Sequence, residues 1–145
     1  MERGKEVILA DASIIVKWFV NEEYTEQALA LRQSYLDKKT DIACPQILPF
    51  EVLNALRYNP EFGEEHVKIA SSALHKYQLW LFPILGELAD RCIKNSFSFG
   101  ISLYDSSYVS LAEYLGAKLY TADDRLLDKI GTLGYVAHLS DFKTE

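Results

Sequence analysis

Short apolar runs alternate along the chain with longer runs in which apolar residues recur at helical spacing. The short runs are typical of buried β-strands, and they cover Val7–Asp11, Asp41–Cys44, Leu79–Phe82, Lys118–Thr121 and Tyr135–His138. The longer runs predict helices, and they cover Glu22–Lys38, Gln46–Tyr58, Glu64–Tyr77, Leu85–Phe97, Ser102–Gly116 and Asp124–Ile130. Strands that alternate with helices across short connections predict a three-layer α/β fold with a mostly parallel central sheet.

The composition is that of one compact domain. The chain has 145 residues, of which 49% are hydrophobic and 25% charged, so we expect residues 1–145 to form a single domain with a core of its own. No apolar run approaches the roughly 18 residues of a membrane span, and the charged first residues lack the apolar segment of a signal peptide. Cys44 and Cys92 stand far apart without zinc spacing, so we expect free thiols and a cytoplasmic, reducing location.

The formal net charge of −6 argues against a protein that holds nucleic acid through its overall field, because such proteins are basic. Any contact with nucleic acid would depend on bound metal and on local positive charge. The candidates for that local charge are Lys17, Arg57, Lys94 and Arg125. For Lys17 and Arg125, ordinary surface charge is an equally good interpretation.

Four acidic residues lie beside apolar sequence, at the ends of strands or inside apolar helices. They are Asp11, Glu51, Asp105 and Asp123. A charge that borders on burial is costly unless it is paired or bound to a metal, so four such acids suggest one shared cation. In parallel sheets, ligands sit at the carboxyl ends of the strands, where Asp11 and Asp123 could reach one crevice. Hard oxygen ligands suit Mg²⁺ or Mn²⁺ and phosphate chemistry.

Asp11 and Glu51 have different structural alternatives. Asp11 closes the first predicted strand, where an Asp often caps the next helix, although Ser13 could supply that cap itself. Glu51 has no basic residue three or four positions away, so no local salt bridge is available to it. Either Glu51 faces solvent or its charge has a function, and we favour function because an acid flanked by apolar residues rarely goes uncompensated.

Structural roles explain Asp105 and the adjacent acids Asp123 and Asp124 more readily than they explain Asp11 and Glu51. Asp105 stands three residues after Ser102, which is the spacing of a capping box at the start of a helix. Asp123 and Asp124 are adjacent at the start of a predicted helix, and one of them is needed as its cap. The other acid of this pair is then spare.

Four segments, taken together, carry a family resemblance that spans nearly the whole chain. They are Asp11–Phe19, Leu48–Leu56, Leu103–Tyr108 and Thr121–Leu126. Each motif alone is weak, but their order and spacing in a chain of this length are specific. The sequence resembles the PIN-domain ribonucleases, and most closely the VapC-type toxins of toxin–antitoxin pairs. This resemblance implies a three-layer α/β/α PIN-like domain.

The resemblance also implies a set of site residues. Carried over by position, the four acids that serve the family as catalytic residues and metal ligands fall on Asp11, Glu51, Asp105 and Asp123. The supporting hydroxyl residues fall on Ser13 and Thr121, and Asp124 remains the alternative to Asp123. Some members carry a further acid close after the third, and this chain has Ser106 and Ser107 there instead.

The activity implied by the resemblance is that of an endoribonuclease dependent on Mg²⁺ or Mn²⁺. A metal-activated water would hydrolyse the RNA phosphodiester and leave 5′-phosphate and 3′-hydroxyl ends. The implied partners are the RNA substrate, a small antitoxin whose C-terminal segment fills the acidic groove, and a second copy of the chain in a homodimer. We expect no membrane among the partners.

Other protein classes share some of these features. A phosphatase of the haloacid-dehalogenase kind needs a second Asp two residues after the first, where this chain has Ser13. A receiver domain needs an acidic pair before the acid of its first strand, and that pair is absent. The remaining alternative is a catalytically inert PIN-fold module that binds a protein or RNA partner, and the four intact acids count against it.

Overall fold

The computed structural model describes residues 6–143, and a five-stranded sheet forms its centre. Strands β1 to β5 are, in chain order, Glu6–Ala10, Thr40–Pro45, Trp80–Phe82, Lys118–Thr121 and Val136–His138. Their order in the sheet is β3-β2-β1-β4-β5, and each pair of neighbours runs parallel. The predicted α/β fold is confirmed, and the described sheet is parallel throughout.

Helices form layers on the two faces of the sheet, which gives the predicted α/β/α arrangement. Helices α1 to α7 are Ala12–Ile15, Thr25–Leu36, Leu48–Arg57, Glu64–Tyr77, Gly86–Phe99, Leu103–Leu115 and Asp124–Ile130. Two 3₁₀ turns, Val16–Trp18 and Leu139–Asp141, follow α1 and β5. Helices α5 and α6 end at Gly100 and Gly116, with φ of 65° and 63°. Glycine adopts this left-handed conformation without the steric cost of a Cβ, so both helices end cleanly.

The central strand β1 aligns the ends of its neighbours. Leu9 is level with Ala43 of β2 and with Leu119 of β4, and all three side chains are fully buried. Because parallel strands end at the same edge of a sheet, the residues that follow β1 and β4 meet there. The N–H of Asp11 donates to the carbonyl of Tyr120 at 3.3 Å, which continues the pairing one residue beyond β1.

Helix α3 presents a different face to the core from the predicted one. The sequence pattern of residues 46–58 predicts that Ile47, Phe50, Leu53, Asn54 and Leu56 face the core, but Phe50 is 74% exposed. The buried residues of the helix are Leu48, Val52 and Leu56, at a spacing of four, so Leu56 is the one member of the predicted set among them. Apolar residues surround nearly the whole helix, so their pattern did not distinguish the core face, and the prediction was wrong on this point.

Two further expectations concern the cysteines and membranes. Cys44 in β2 and Cys92 in α5 are both buried free thiols. Within residues 6–143, no helix has the length and apolar character that crossing a membrane would require.

Candidate active site

Asp11 is the most deeply buried acid of the candidate site. It follows β1 with extended backbone geometry, at φ −83° and ψ 178°, and only 6% of the residue is exposed. Its carboxylate accepts a hydrogen bond from the backbone N–H of Ser13 at 3.1 Å, so Asp11 rather than Ser13 caps helix α1. The same carboxylate also accepts from the side-chain hydroxyls of Ser13 and Thr121. Capping therefore accounts for only part of its bonding.

The two hydroxyl residues join the end of β1 to the end of β4. The Ser13 hydroxyl oxygen accepts from the N–H of Ala122 at 2.9 Å. The Thr121 hydroxyl oxygen accepts from the N–H of Asp123 at 3.0 Å, and the two hydroxyl oxygens lie 3.4 Å apart. One hydroxyl serves each carboxylate oxygen of Asp11, so the orientation of that carboxylate is fixed from both sides.

The environment of Asp11 disfavours its charged form. Burial raises its pKa from 3.8 to about 6. The hydrogen bonds from Ser13 and Thr121 lower this pKa, whereas the negative charges of Asp123 and Asp105 raise it. Among residues 6–143, no Lys, Arg or His lies within ion-pair distance of the Asp11 carboxylate. The buried charge is therefore left without a cation from the described part of the chain.

Glu51 reaches the site from the first turn of helix α3. Its side chain is half-buried, and the hydroxyl of Tyr108 donates a hydrogen bond to its Oε1 at 2.7 Å. Burial raises the pKa of Glu51, the Tyr108 hydrogen bond lowers it, and the charge of Asp105 raises it. Glu51 is thus neither fully solvated nor paired with a cation among the described residues, as its sequence neighbours indicated.

Asp105 lies in the first turn of helix α6. Its backbone N–H donates to the Ser102 hydroxyl at 3.0 Å, which is the cap that the sequence spacing predicts. Burial raises the pKa of the Asp105 carboxyl, and the charge of Asp123 raises it further. A hydrogen bond with Ser102 and the positive charge of Lys129 lower it. Capping therefore explains the backbone of Asp105, and its carboxylate lies among the other site acids.

The structure separates Asp123 from Asp124. Asp123 caps helix α7, because its Oδ1 accepts from the N–H of Arg125 at 3.0 Å and of Leu126 at 3.3 Å. Its charge also raises the pKa of both Asp11 and Asp105. Asp124 is exposed, and its Oδ1 lies 4.0 Å from Nε2 of His138. The residue that caps the helix is therefore also the one that faces the other acids.

The donor set fits a hard divalent cation held partly through water. Within the part of the chain that the structure describes, no three Asp, Glu, His or Cys side chains converge closely enough to hold an ion by themselves. Mg²⁺ commonly keeps several waters and binds proteins through one or two carboxylates. The carboxylates of the four acids, with no protein cation paired to them in residues 6–143, suit such an ion.

The cations around the site differ from those suggested by the sequence. Lys17 is buried, and its Nζ lies 3.0 Å from Glu22, so it is neither surface charge nor free for a ligand. Arg125 is exposed at the start of helix α7. Lys129, one turn further along that helix, donates to the carbonyl of Gly100 at 2.7 Å and lies near enough to Asp105 to lower its pKa.

Sequence reasoning missed two residues at this site, Tyr108 and Lys129. Tyr108 stands three residues after Asp105 on a predicted helix, so its place on the same face was readable from the spacing. Lys129 had no comparable signal, because its contact with the loop at Gly100 joins parts of the chain 29 residues apart.

Comparisons with known proteins agree with this fold. Residues 8–132 match the family model described as the PIN domain. Ribonuclease VapC3 of Pyrobaculum aerophilum is 30% identical to this chain over 132 residues, which cover 87% of this chain and 96% of that protein.

Solved structures show the same architecture. The crystal structure of PAE2754 from Pyrobaculum aerophilum is similar with a TM-score of 0.63 and 25% identity, over 93% of this chain and 91% of that one. A toxin–antitoxin complex from Klebsiella pneumoniae contains a chain with a TM-score of 0.67 and 16% identity, over 91% of this chain and 97% of its own length. At that identity, the likeness to the second structure shows the fold alone.

Proposed function

Because the chain belongs to the PIN domain family, we propose that it is an endoribonuclease that hydrolyses RNA phosphodiester bonds with Mg²⁺ or Mn²⁺. We further propose that residues 1–145 form one PIN domain. The observation that carries the proposal is the gathering of four acids at one edge of the sheet, where burial and mutual repulsion raise the pKa of Asp11, Glu51 and Asp105. The name of the relative, Ribonuclease VapC3, supports the same reaction class.

Some site residues would hold the ion, and others orient the side chains that hold it. Asp11, Glu51, Asp105 and Asp123 would hold it, some of them through bound water, and a divalent ion there would supply an activated water and positive charge toward the phosphate oxygens. Ser13 and Thr121 orient Asp11 through its two carboxylate oxygens. Asp123 keeps its position because its Oδ1 is bonded to the first N–H groups of helix α7.

Two positive side chains of helix α7 would bind the RNA backbone. Lys129 holds its ammonium group close to Asp105 through the carbonyl of Gly100, and Arg125 is exposed on the same helix. A protein with a net charge of −6 attracts RNA weakly overall, so these local charges and the bound cation supply most of the attraction for phosphate.

We also propose that the protein is the toxin of a toxin–antitoxin pair that acts on cytoplasmic RNA. Support comes from the name of the VapC3 relative and from the toxin–antitoxin complex with the same fold. The antitoxin would offer Arg or Lys to the carboxylates, because charge-assisted hydrogen bonds of this kind are strong. Large exposed apolar side chains, among them Phe50, Leu85 and Phe97, give the surface that a homodimer or an antitoxin interface needs.

The test is cleavage of labelled, structured RNAs by the purified protein in Mg²⁺ or Mn²⁺. EDTA and the variant Glu51→Gln are the controls, and both are expected to abolish cleavage. Cleavage that survives both controls would identify a contaminating nuclease. Absence of cleavage on every RNA, with the metal bound, would favour an inert PIN-fold module that binds a protein or RNA partner.

A further inference from the structure

The Glu51 carboxylate is held by a buried tyrosine from another helix. Tyr108 of α6 is only 2% exposed, and its hydroxyl donates to Glu51 Oε1 at 2.7 Å. The two residues are separated by 57 positions in the sequence. No other side chain in residues 6–143 donates a hydrogen bond to this carboxylate, so Tyr108 is its one hydrogen-bonding anchor within that range.

Tyr108 is suited to hold a carboxylate and unsuited to transfer a proton. Burial raises its pKa far above the usual range, and the nearby Cys44 and Glu51 raise it further. Burial likewise raises the pKa of Cys44, so the thiol beneath the site stays protonated. The buried phenol donates its hydrogen bond to Glu51, and its burial keeps substrate away from it.

One helix turn carries both an acid and the donor that fixes another acid. Asp105 and Tyr108 are three residues apart on α6, so they lie on the same helix face. Glu51 belongs to α3, and the Tyr108 hydrogen bond joins its carboxylate to that face, where the charge of Asp105 raises the pKa of Glu51. The position of α6 therefore sets both the Asp105 carboxylate and the hydroxyl that donates to Glu51.

We propose that Tyr108 is a positioning residue that holds the Glu51 carboxylate in place beside Asp105 for binding the divalent cation. The inference rests on the proposed function only in taking Glu51 as a ligand of that cation. Outer-shell partners of metal ligands typically contribute ten- to a hundredfold in metal affinity, because they fix the orientation of the ligand.

The experiment compares Mn²⁺ binding by calorimetry, without RNA, in the wild-type protein and in Tyr108→Phe. Loss of the hydroxyl is expected to weaken Mn²⁺ binding by roughly ten- to a hundredfold. The matched control is Tyr135→Phe, because Tyr135 donates to Glu113 Oε2 at the same distance, 2.7 Å, but near the other end of α6. The control should bind Mn²⁺ as the wild-type protein does.

A double-mutant cycle separates positioning from a general structural role. Glu51→Gln removes the charge but keeps an acceptor, and adding Tyr108→Phe to it should weaken Mn²⁺ binding no further. An equal loss with and without Glu51→Gln would overturn the inference, as would unchanged Mn²⁺ affinity in Tyr108→Phe. Should Tyr108→Phe be largely unfolded, all titrations of the cycle are repeated in sucrose, which favours the folded state, and read by the same criteria.

The readout also distinguishes this inference from the proposed function. A wild-type protein that binds Mn²⁺ but cleaves no RNA would remove the ribonuclease proposal, while the Mn²⁺ affinities of the variants still decide the role of Tyr108. A wild-type protein that binds no Mn²⁺ would overturn both.

Discussion

Thr121 donates a hydrogen bond from its fully buried hydroxyl to the carboxylate of Asp11, 110 residues earlier in the chain. The bond joins the ends of the two neighbouring strands β1 and β4, and the same hydroxyl oxygen accepts from the N–H of Asp123. Thr121 therefore ties one site acid directly to the backbone of another.

Replacing Thr121 with Val should destabilise the protein and weaken its metal binding. Val has nearly the same shape but leaves an oxygen of Asp11 and the N–H of Asp123 without their partner, which costs about 1–3 kcal/mol. Chemical denaturation with and without Mn²⁺ measures both effects. The matched control is Thr40→Val, because Thr40 shares a buried hydrogen bond of 2.7 Å with Ser34 away from the site. Thr40→Val should lose stability but keep Mn²⁺ binding. Equal losses of Mn²⁺ affinity in Thr40→Val and Thr121→Val would contradict a site role for Thr121.

The metal-free protein should become less stable as the pH rises from about 4 to about 6. The pKa of Asp11 is about 6 in the folded state against 3.8 unfolded, so the folded state binds more protons in this range and loses that advantage as the proton leaves. The contribution is up to about 3 kcal/mol, and burial raises the pKa of Glu51 and Asp105 in the same direction.

Denaturation midpoints in EDTA across this pH range measure the effect. Asp11→Asn should reduce the pH dependence and stabilise the metal-free protein at pH 7, because the amide cannot ionise. A variant with the same pH dependence as the wild-type protein would show that Asp11 titrates normally.

Addition of Mn²⁺ or Mg²⁺ should raise the melting temperature at pH 7, and Asp11→Asn should largely abolish the rise. Binding to the folded state alone, at a concentration a hundred times the Kd, stabilises it by about 2.7 kcal/mol. For a domain of this size that corresponds to a shift of about 5–10 °C. The control is Asp128→Asn, which removes an exposed acid from the same helix as Asp124. An unchanged response in Asp11→Asn would refute a shared cation.

Substitutions at the adjacent acids Asp123 and Asp124 separate capping from metal binding. Asn is as good a helix cap as Asp, so Asp123→Asn should leave helix α7 and the overall stability nearly unchanged. It nevertheless removes the charge that acts on Asp11 and Asp105, so Mn²⁺ binding and RNA cleavage should fall at least tenfold. Asp124→Asn should leave Mn²⁺ binding and RNA cleavage nearly intact. Calorimetric titration of the two variants with Mn²⁺ decides which of the two acids belongs to the site. The opposite ranking would transfer the site role to Asp124.

The sequence predicted those elements whose ends are marked by local chemistry. Helix α4 at Glu64–Tyr77, strand β4 at Lys118–Thr121 and helix α7 at Asp124–Ile130 have the predicted bounds. Each begins or ends at a change from apolar to capping or turn residues, which acts over a few positions of the chain. The proximity of Asp11 and Asp123 followed from the same logic, because strands β1 and β4 end at the same edge.

What the sequence could not predict depends on contacts between distant segments. The prediction of the core face of α3 was wrong because Phe50 and Leu48 are both strongly apolar, and only packing distinguishes them. Lys17 was treated as a surface or ligand-binding cation, yet it is buried beside Glu22. Among the site residues, the hydrogen bond from Tyr108 to Glu51 likewise has no local signal in the segment that contains Glu51.

Lys129→Ala should weaken RNA binding without slowing the chemical step. The Lys129 ammonium is anchored to the carbonyl of Gly100 and lies close enough to Asp105 to lower its pKa, which places a positive charge at the rim of the acids. Removal of a phosphate contact of this kind raises KM for every RNA sequence. It also lowers the slope of log affinity against log salt by about one. Because the side chain is exposed, stability should change by no more than about 0.5 kcal/mol.

The control is Lys118→Ala, which removes an exposed lysine at the start of β4 and thus at the opposite edge of the sheet. Steady-state kinetics at several salt concentrations measure both variants, and a fall in kcat with KM unchanged would show that Lys129 does not bind the substrate backbone.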